Sequence, residues 1–535
     1  MNVVYLVLED FRGLSMKALC GESRPGRPCA DTPNLDLLAQ EGVLFERAYA
    51  QSPICNPSRT SAMAGRYPSA TGVFDNDADG TVAQGLPNLP KLLQRAKRGR
   101  IVTSSPYSKV FHLPAGDVAY TQQPWDLRWW NASGMRHVPA AIVSKLGISQ
   151  PTPKRVWRGP GYGHVDPDIF HHMAFRRTVG MLAALLNQRV PFFFAAGLSG
   201  THTPLMPPMS YVSRHSAQSV AIPRTHPPHA PELARKDGFQ TARLSTQQEK
   251  EYIATYLACV QYVDAQVGAL VELIHRAEAQ PTQADRPQAQ HAVVIHSDHG
   301  FHLGEHGRWS KYTLYEEAVR VPLIVRVPGG VRGVRRSNLV ELVDVLPTLL
   351  DLWGVPNSQR PPNLDGRSLL PLVGLSGGAK GGGSSGSGAT VSSYTPRRHV
   401  RSAMRHPMRL NGEWVCGEQH YVRNEHASLT TYLHHGVVVN TTLFDLDADP
   451  LEQRNLIGED AKAWPYATLR AWASLVAAER EAWPREGVRA RDAASRSDQC
   501  GEYATPPPVA RRRARQVKRM TRSARQARNR HALRG

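Results

Sequence analysis

The stretch Val3-Val4-Tyr5-Leu6-Val7-Leu8, followed directly by Glu9-Asp10, sets the fold that we predict for this chain. A short apolar run that ends in acidic residues is typical of a strand buried on both faces. Similar runs recur at 191–196, 292–295 and 321–327, with helical patterns between them. This alternation predicts an α/β fold with a large, mostly parallel sheet sandwiched by helices.

The clearest helical pattern covers residues 251–277. Its apolar side chains repeat at three- and four-residue steps: Tyr256, Val260, Val263, Val267, Leu270 and Ile274. We interpret this stripe as a face turned to the core. Cys259, near the edge of the stripe, is therefore expected to be a buried thiol rather than a reactive one.

Composition divides the chain into a folded part and a tail. Hydrophobic residues make up 41% of the sequence, which excludes disorder for most of it. Residues 1–373 form the predicted α/β domain, and the Gly/Ser-rich stretch 374–393 is a flexible linker or a surface insertion. A smaller C-terminal α+β subdomain is predicted over 394–484, and residues 485–535 are predicted to be a disordered basic tail.

The subdomain is predicted from three patterns. Residues 414–422 and 437–446 have the composition of strands. Residues 465–481 have the pattern of a helix with proline in its first turn.

The net charge of +20 is unevenly distributed. Between Arg511 and Arg534 stand eleven Lys or Arg residues and no Asp or Glu, so the tail carries more than half of the excess. Such a tail could bind sulfated glycans, nucleic acid or an anionic membrane, with steep salt dependence. An extension without function explains the same composition equally well.

Neither a membrane span nor a secretory signal is predicted. The sequence has no run of about 18 apolar residues, so we predict no transmembrane segment. The N-terminus lacks the basic region and the long apolar region of a signal peptide. Two expectations stay open: a cytosolic protein, or a chain whose upstream leader is missing.

The six cysteines are too few and too scattered for a disulfide framework, and no two have the C-x-x-C spacing of a zinc site. Cys20 and Cys29 could close a short loop. If Cys55 serves in chemistry, at least one of the other five is unpaired.

Acidic or histidine side chains follow three of the predicted strands. They are Glu9-Asp10, Thr201-His202 and Asp298-His299. In open α/β sheets, ligands bind at the carboxyl ends of the strands. Each group alone could be a helix cap or a turn, but three at one sheet edge favour a site. Carboxylate oxygens suit a hard ion such as Ca²⁺ or Mg²⁺ better than zinc.

The most specific run is Cys55-Asn56-Pro57-Ser58-Arg59, which continues through small residues to Gly65-Arg66. It resembles the C-x-P-S-R signature of the formylglycine-dependent sulfatases, a family of the alkaline-phosphatase-like superfamily. The resemblance implies that Cys55 is oxidised to formylglycine, whose hydrate attacks sulfur. A geminal diol keeps a second hydroxyl that can expel sulfate and regenerate the aldehyde, whereas a thiol or a serine would leave a stable adduct.

Further segments are similar to the iduronate-2-sulfatase branch of that family. They are 109–112, 262–268 and 297–311. Segment 443–456 is similar to the C-terminal subdomain hairpin of the family as a whole. The likeness extends over roughly residues 1–480, with gaps at about 120–190 and 375–400, where no segment matches.

The resemblance implies a role for each matching residue. One Ca²⁺ would be held by Glu9, Asp10, Cys55 in its modified form, Asp298 and His299. Arg59 would fix the formylglycine, and Lys109 and Lys311 would contact sulfate oxygens.

Two histidines would move protons: His112 in the breakdown of the hydrate, and His202 toward the leaving alcohol. His306 is expected to support the site rather than to bind the ion. The first ligand of the family is usually Asp, whereas this chain has Glu9, so either the ion must shift or the carboxylate must bind in another mode.

The implied function is a sulfuric ester hydrolase that removes sulfate from a sulfated sugar such as a 2-O-sulfated uronate. The implied partners are that carbohydrate and a formylglycine-generating enzyme, and the implied location is secretory, lysosomal or extracellular. One alternative is a phosphoesterase or phosphonate hydrolase of the same superfamily, although phosphatases of this fold usually use Ser or Thr in place of Cys55. The other is a non-catalytic polyanion-binding protein whose metal site is compromised by Glu9.

Overall fold

The computed structural model describes most of the chain up to residue 457 and part of one later helix. The described residues are 1–20, 28–76, 86–103, 110–111, 170–203, 205, 207–223, 245–281, 290–375, 395–410, 413–457, 471, 474–479 and 481.

The strands in chain order are β1 Asn2–Leu8, β2 Val43–Tyr49, β3 Arg100–Thr103, β4 Phe192–Leu198, β5 His291–Ser297, β6 His302–Leu303, β7 Trp309–Ser310, β8 Arg320–Arg326, β9 Val334–Glu341, β10 Val400–Leu410, β11 Glu413–Arg423, β12 Ala427–His434 and β13 Val437–Asp445. The α-helices are α1 Lys17–Cys20, α2 Pro33–Glu41, α3 Cys55–Ala64, α4 Pro68–Thr71, α5 Leu89–Arg95, α6 Phe170–Leu186, α7 Met209–Val212, α8 Thr246–Glu278, α9 Glu316–Val319 and α10 Val345–Trp353.

Seven strands form one large sheet in the order β3-β4-β1-β5-β8-β2-β9. Strand β8 runs antiparallel to both of its neighbours, and the other pairs are parallel. The predicted mostly parallel sheet is therefore confirmed. The four apolar runs of the sequence correspond to β1, β4, β5 and β8.

Side chains of β1 alternate between two hydrophobic cores, one on each face of the sheet. Val3, Tyr5 and Val7 pack in the core that contains residues of α5 and α10. Their neighbours Val4, Leu6 and Leu8 pack in the core that contains residues of α2, α6 and α8. Helices thus cover both faces, which is why β1 reads as an uninterrupted apolar run.

Helix α8 is longer than the predicted 251–277 and spans 33 residues. It begins after Ser245, whose hydroxyl accepts a hydrogen bond from the backbone N–H of Gln248, while the Gln248 side chain accepts one from Ser245 N–H. Cys259 is fully buried, as predicted. By length and composition α8 could cross a membrane, but 67% of its most apolar window is buried in the protein, which is typical of a core helix.

Strands β10 to β13 form a second, four-stranded antiparallel sheet, the small sheet. It includes the strands predicted at 414–422 and 437–446. Of the helix predicted at 465–481, residues 471, 474–479 and 481 are helical. Most of the Gly/Ser-rich stretch 374–393 and all of the tail 485–535 lie outside the described residues, so the division of the chain stays a prediction there.

The cysteines agree with expectation where they are described. Cys20 and Cys29 form a disulfide, with their Cα atoms 6.0 Å apart. Cys416 is also disulfide-bonded. Cys55 and Cys259 are buried and are not in disulfide bonds.

Candidate active site

The site begins where β1 and β5 end, side by side at one edge of the large sheet. Glu9 and Asp10 follow β1 directly, and Asp298 and His299 follow β5. The backbone N–H of Asp10 donates to Asp298 Oδ1 over 2.9 Å, which ties the two strand ends together. None of the four residues is more than 2% exposed.

Helix α3 brings the sulfur of Cys55 to these groups. Cys55 is the first residue of the helix, and its Sγ lies 3.3 Å from His299 Nε2 and 3.8 Å from Asp10 Oδ1. One turn later, the Ser58 hydroxyl donates to the Asp298 carbonyl and fixes the helix against the end of β5. The N-terminus of a helix favours negative charge on a group placed there.

Lys311 places a cation at the centre of the cluster. Its Nζ donates to both carboxylate oxygens of Asp10, at 2.7 and 2.9 Å, and lies 3.1 Å from Cys55 Sγ. Burial lowers the pKa of Lys311, but the charges of Asp10 and then Cys55 outweigh it and hold that pKa well above its ordinary value. Burial also raises the pKa of Asp10, against the opposing effect of Lys311.

The structure places Arg59 on Asp298. The Nε and Nη2 atoms of Arg59 lie 2.9 and 2.8 Å from Asp298 Oδ2, and the guanidinium is buried. A guanidinium held by two nitrogens fixes both the position and the charge of its carboxylate partner. The family resemblance implies that Arg59 contacts the formylglycine made from Cys55. In the structure, Arg59 contacts Asp298, which is the neighbouring candidate ligand.

His202 lies beside Glu9 and is partly exposed. It follows β4, and its Nε2 is 3.7 Å from Glu9 Oε1. Its Nδ1 donates to the carbonyl of Thr203, which leaves Nε2 as the nitrogen that faces the site. The side chain is 34% exposed, so a molecule from solvent can reach it, unlike the buried His299.

The five predicted metal ligands come together in two overlapping groups. One contains Asp10, Cys55, Asp298 and His299, and the other contains Glu9, Asp10, Cys55 and His202; within each group the candidate ligand atoms lie within 4.8 Å of one another. Three carboxylates meet here, and Lys311 binds one of them, which shows that the site attracts positive charge. The donors therefore fit a hard divalent ion such as Ca²⁺. Glu9 belongs to the same group of candidate ligands as His202.

Tyr256 is a residue of the site that the sequence analysis missed. Its hydroxyl donates to the backbone carbonyl of Asp10 over 2.6 Å and accepts from the N–H of Arg12 over 2.9 Å. Because Tyr256 belongs to the apolar stripe of α8, its periodicity predicts only core packing. The signal that could have found it is the phenol itself, since a buried tyrosine hydroxyl usually has a hydrogen-bond partner.

The structure describes one of three further predicted residues. Lys109 and His112 lie outside the described residues, so their roles stay predictions. His306 has a different environment from the one expected: its ring stacks on Tyr315, and its Nε2 lies 3.4 Å from Glu317.

Comparison with known proteins gives a family match over most of the chain. The family model described as Sulfatase matches residues 1–355. Iduronate 2-sulfatase of Mus musculus is 26% identical over 412 residues, which cover 68% of this chain and 70% of that protein. Choline-sulfatase of Rhizobium meliloti is 27% identical over 502 residues, which cover 88% of this chain and 85% of that protein.

A solved structure supports the same fold. The phosphonate monoester hydrolase SpPMH from Silicibacter pomeroyi matches with a TM-score of 0.65 at 20% identity, over 90% of this chain and 95% of that chain. At this identity the likeness shows the fold alone.

Proposed function

The chain belongs to the sulfatase family and is a sulfuric ester hydrolase, and from that premise we propose that it removes sulfate from a sulfated sugar with a formylglycine made from Cys55 and one Ca²⁺. The observation that carries this proposal is the position of Cys55 Sγ, 3.1 Å from Lys311 Nζ and 3.3 Å from His299 Nε2. The likeness to iduronate 2-sulfatase makes a 2-O-sulfated uronate the first sugar to test.

Residue 55 is the proposed nucleophile. As formylglycine it would supply a hydroxyl that attacks sulfur and a second hydroxyl that allows sulfate to leave. Lys311 is already within hydrogen-bond distance of Sγ, so its ammonium is suitably placed to bind sulfate oxygens next to the nucleophile. A positive charge at this position would stabilise the negative oxygens of the sulfate group.

The proposed ligands of Ca²⁺ are Glu9, Asp10, residue 55, Asp298 and His299. The ion would supply positive charge that stabilises the negative oxygens of the sulfate group. Arg59 contributes by holding the Asp298 carboxylate through two nitrogens. Ser58 contributes by anchoring α3 to the backbone of Asp298.

His202 is the proposed general acid for the leaving alcohol. Its Nδ1 donates to Thr203, so its Nε2 is the atom that would exchange a proton with the substrate. Two further roles depend on the family resemblance alone. Lys109 would be a second contact to sulfate, and His112 would be the base for breakdown of the hydrate.

The test is sulfate release by protein produced together with a formylglycine-generating enzyme. We expect the purified protein to hydrolyse an aryl sulfate and a 2-O-sulfated uronate, and the peptide that contains residue 55 to have the mass of formylglycine. Cys55→Ala should lower sulfate release by more than about 1,000-fold because it removes the nucleophile. Cys259→Ala is the matched control, since Cys259 is also buried and outside any disulfide bond.

Two results would contradict the proposal. Hydrolysis of a phenyl phosphonate monoester with no cleavage of any sulfate ester would indicate a phosphonate hydrolase. A protein that contains formylglycine, cleaves no ester, binds no Ca²⁺ and retains affinity for sulfated polymers would indicate a polyanion-binding protein.

A further inference from the structure

A second cluster of metal-ligand side chains lies where the segment after β5 meets the small sheet. It consists of His306, Glu317 and Glu452, whose candidate ligand atoms lie within 4.8 Å of one another. The three residues are 7%, 1% and 1% exposed. This cluster, the junction cluster, shares no residue with the groups around Cys55.

The spacing within the junction cluster suits a small ion. His306 Nε2 and Glu317 Oε2 are 3.4 Å apart. Two ligands that each lie about 2.0–2.2 Å from one tetrahedral zinc ion are separated by roughly 3.4 Å. These two atoms therefore already have the separation of a shared metal ion, and the candidate ligand atom of Glu452 lies within 4.8 Å of both.

The side chains of the cluster are held in place by their surroundings. The His306 ring stacks on Tyr315, with centroids 4.0 Å apart and planes 13° from parallel. Glu452 accepts hydrogen bonds from the Ser428 hydroxyl and, over 2.9 Å, from the N–H of Glu316. Because a carboxylate offers about four lone-pair positions, these two bonds leave Glu452 free positions for an ion.

Charge around the cluster also favours a cation. Two nearby guanidinium groups pair with carboxylates outside the cluster: Arg12 with Glu305 at 2.7 Å, and Arg423 with Glu316 at 2.6 Å. The charge of Glu317 also acts on Arg12. Over the part of the chain that the structure describes, no ion pair includes Glu452. A buried carboxylate is costly unless a positive charge or a proton accompanies it, and a divalent ion between Glu317 and Glu452 would provide that charge.

We propose that His306, Glu317 and Glu452 form a structural site for a zinc-type divalent ion, separate from the site around Cys55. Imidazole nitrogen with carboxylate oxygens is a ligand set that zinc accepts. The ion connects the segment that carries Lys311 to the small sheet, because His306 precedes Lys311 in the same segment and Glu452 follows β13.

The experiment measures zinc in a protein whose first site is disabled, because an unmodified Cys55 could itself bind zinc. In the full-length Asp10→Asn/Cys55→Ala protein we expect one equivalent of Zn²⁺ to remain after dialysis, as counted by plasma mass spectrometry. Adding Glu452→Gln should weaken Zn²⁺ binding by more than about 100-fold, because a direct ligand is lost. Glu425→Gln is the matched control, since Glu425 is 60% exposed on the same small sheet.

A second measurement covers the case in which Glu452→Gln does not fold. Co²⁺ added to the metal-stripped Asp10→Asn/Cys55→Ala protein should give visible absorption bands that one equivalent of Zn²⁺ removes, and His306→Gln should abolish them. The proposal fails if the disabled-site protein binds neither Zn²⁺ nor Co²⁺ at micromolar concentration. It also fails if a folded Glu452→Gln protein retains its zinc. In that case, a proton shared by Glu317 and Glu452 would explain how both carboxylates are buried.

Discussion

Tyr256 links the backbone of the candidate site to the core helix behind it. Its hydroxyl holds the carbonyl of Asp10 and the N–H of Arg12, two backbone groups on either side of the turn after β1. Burial is the main cause that raises the pKa of Tyr256 well above its ordinary value, so the hydroxyl stays protonated and available as a donor. The Tyr256 phenol thus helps to fix the backbone that carries the Asp10 carboxylate.

Tyr256→Phe should both destabilise the protein and reduce sulfate release. The substitution leaves the Arg12 N–H buried without its acceptor, which costs about 1–3 kcal/mol in the free energy of unfolding. Urea unfolding measures the loss of stability. Sulfate release should fall because the backbone of Asp10 loses its hydrogen bond, and the kcat measures this effect. Tyr252→Phe, one turn earlier on α8 and packed on Trp309, is the control. Unchanged kcat in a destabilised Tyr256→Phe protein would show that the hydroxyl serves stability alone.

At the residue scale, the sequence predicts the Cys55 run and the acidic strand ends because these residues contrast with the pattern around them. Glu9, Asp10, Asp298 and His299 interrupt apolar runs at their ends, and the structure brings them together. The sequence does not predict the contacts of Tyr256 and His306, for two different reasons. Tyr256 fits the periodicity of its helix, and the surroundings of His306 include Glu452, which lies far away in sequence.

The end of α8 is fixed to the end of β8 by a small polar network. Arg326 donates to both oxygens of Glu278, at 3.0 and 2.6 Å, and lies 3.1 Å from Glu41 of α2. His291, the first residue of β5, lies 3.3 Å from Glu278. Two helices and two strands therefore meet through Glu278, at the edge opposite to the candidate site.

This network predicts how stability depends on pH. Burial raises the pKa of Glu278, but hydrogen bonds from His291 and Arg326 outweigh it and lower that pKa to about 2. A carboxyl with a lowered folded pKa stabilises the protein above its unfolded pKa of about 4.5, and the stabilisation disappears as the pH falls through about 2.

Glu278→Gln should therefore lower the midpoint of thermal unfolding at pH 7, and the difference from the unaltered protein should shrink steadily below pH 4.5. Glu272→Gln is the control, since Glu272 lies on the same helix, is 54% exposed and pairs only along it with Arg276. A Glu278→Gln deficit that stays constant from pH 7 to pH 3 would contradict the assignment.

At the scale of elements, the sequence predicts those strands and helices whose burial follows one regular pattern along their length. Strand β1 is buried on both faces and reads as one apolar run. Strand β9 alternates between partly exposed and exposed residues over most of its length, and its sequence carries no comparable signal. The antiparallel direction of β8 depends on its pairing with β5 and β2, which no local pattern encodes. The start of α8 could have been predicted, since Ser245 and Gln248 have the spacing of a capping box.

Across the whole molecule, the two sheets are joined by buried ion pairs. Arg397, just before β10, lies 2.8 Å from Glu341 at the end of β9 and contacts both oxygens of Asp344. Only 6% of the Arg397 side chain is exposed, and neither carboxylate is exposed. The chain therefore returns to the large sheet immediately after the Gly/Ser-rich stretch.

Arg397→Gln should destabilise the contact between the sheets by about 3 kcal/mol, because two buried carboxylates lose their cation. Guanidinium unfolding followed by tryptophan fluorescence should show a lower midpoint than for the unaltered protein. Arg398→Gln, at the adjacent exposed position, should change the midpoint little. Equal midpoints for both variants would mean that the two sheets are held together by other contacts.

The burial of α3 has a consequence for the order of events in the life of the chain. Cys55 is 1% exposed, and every residue of α3 through Ala64 is buried. Under the proposed function, an enzyme that oxidises this thiol needs access to the segment around Cys55, which the folded chain buries. Conversion is then expected before the chain folds, in competition with folding. A molecule that folds first would keep its thiol, so the active fraction of a preparation would be determined during synthesis.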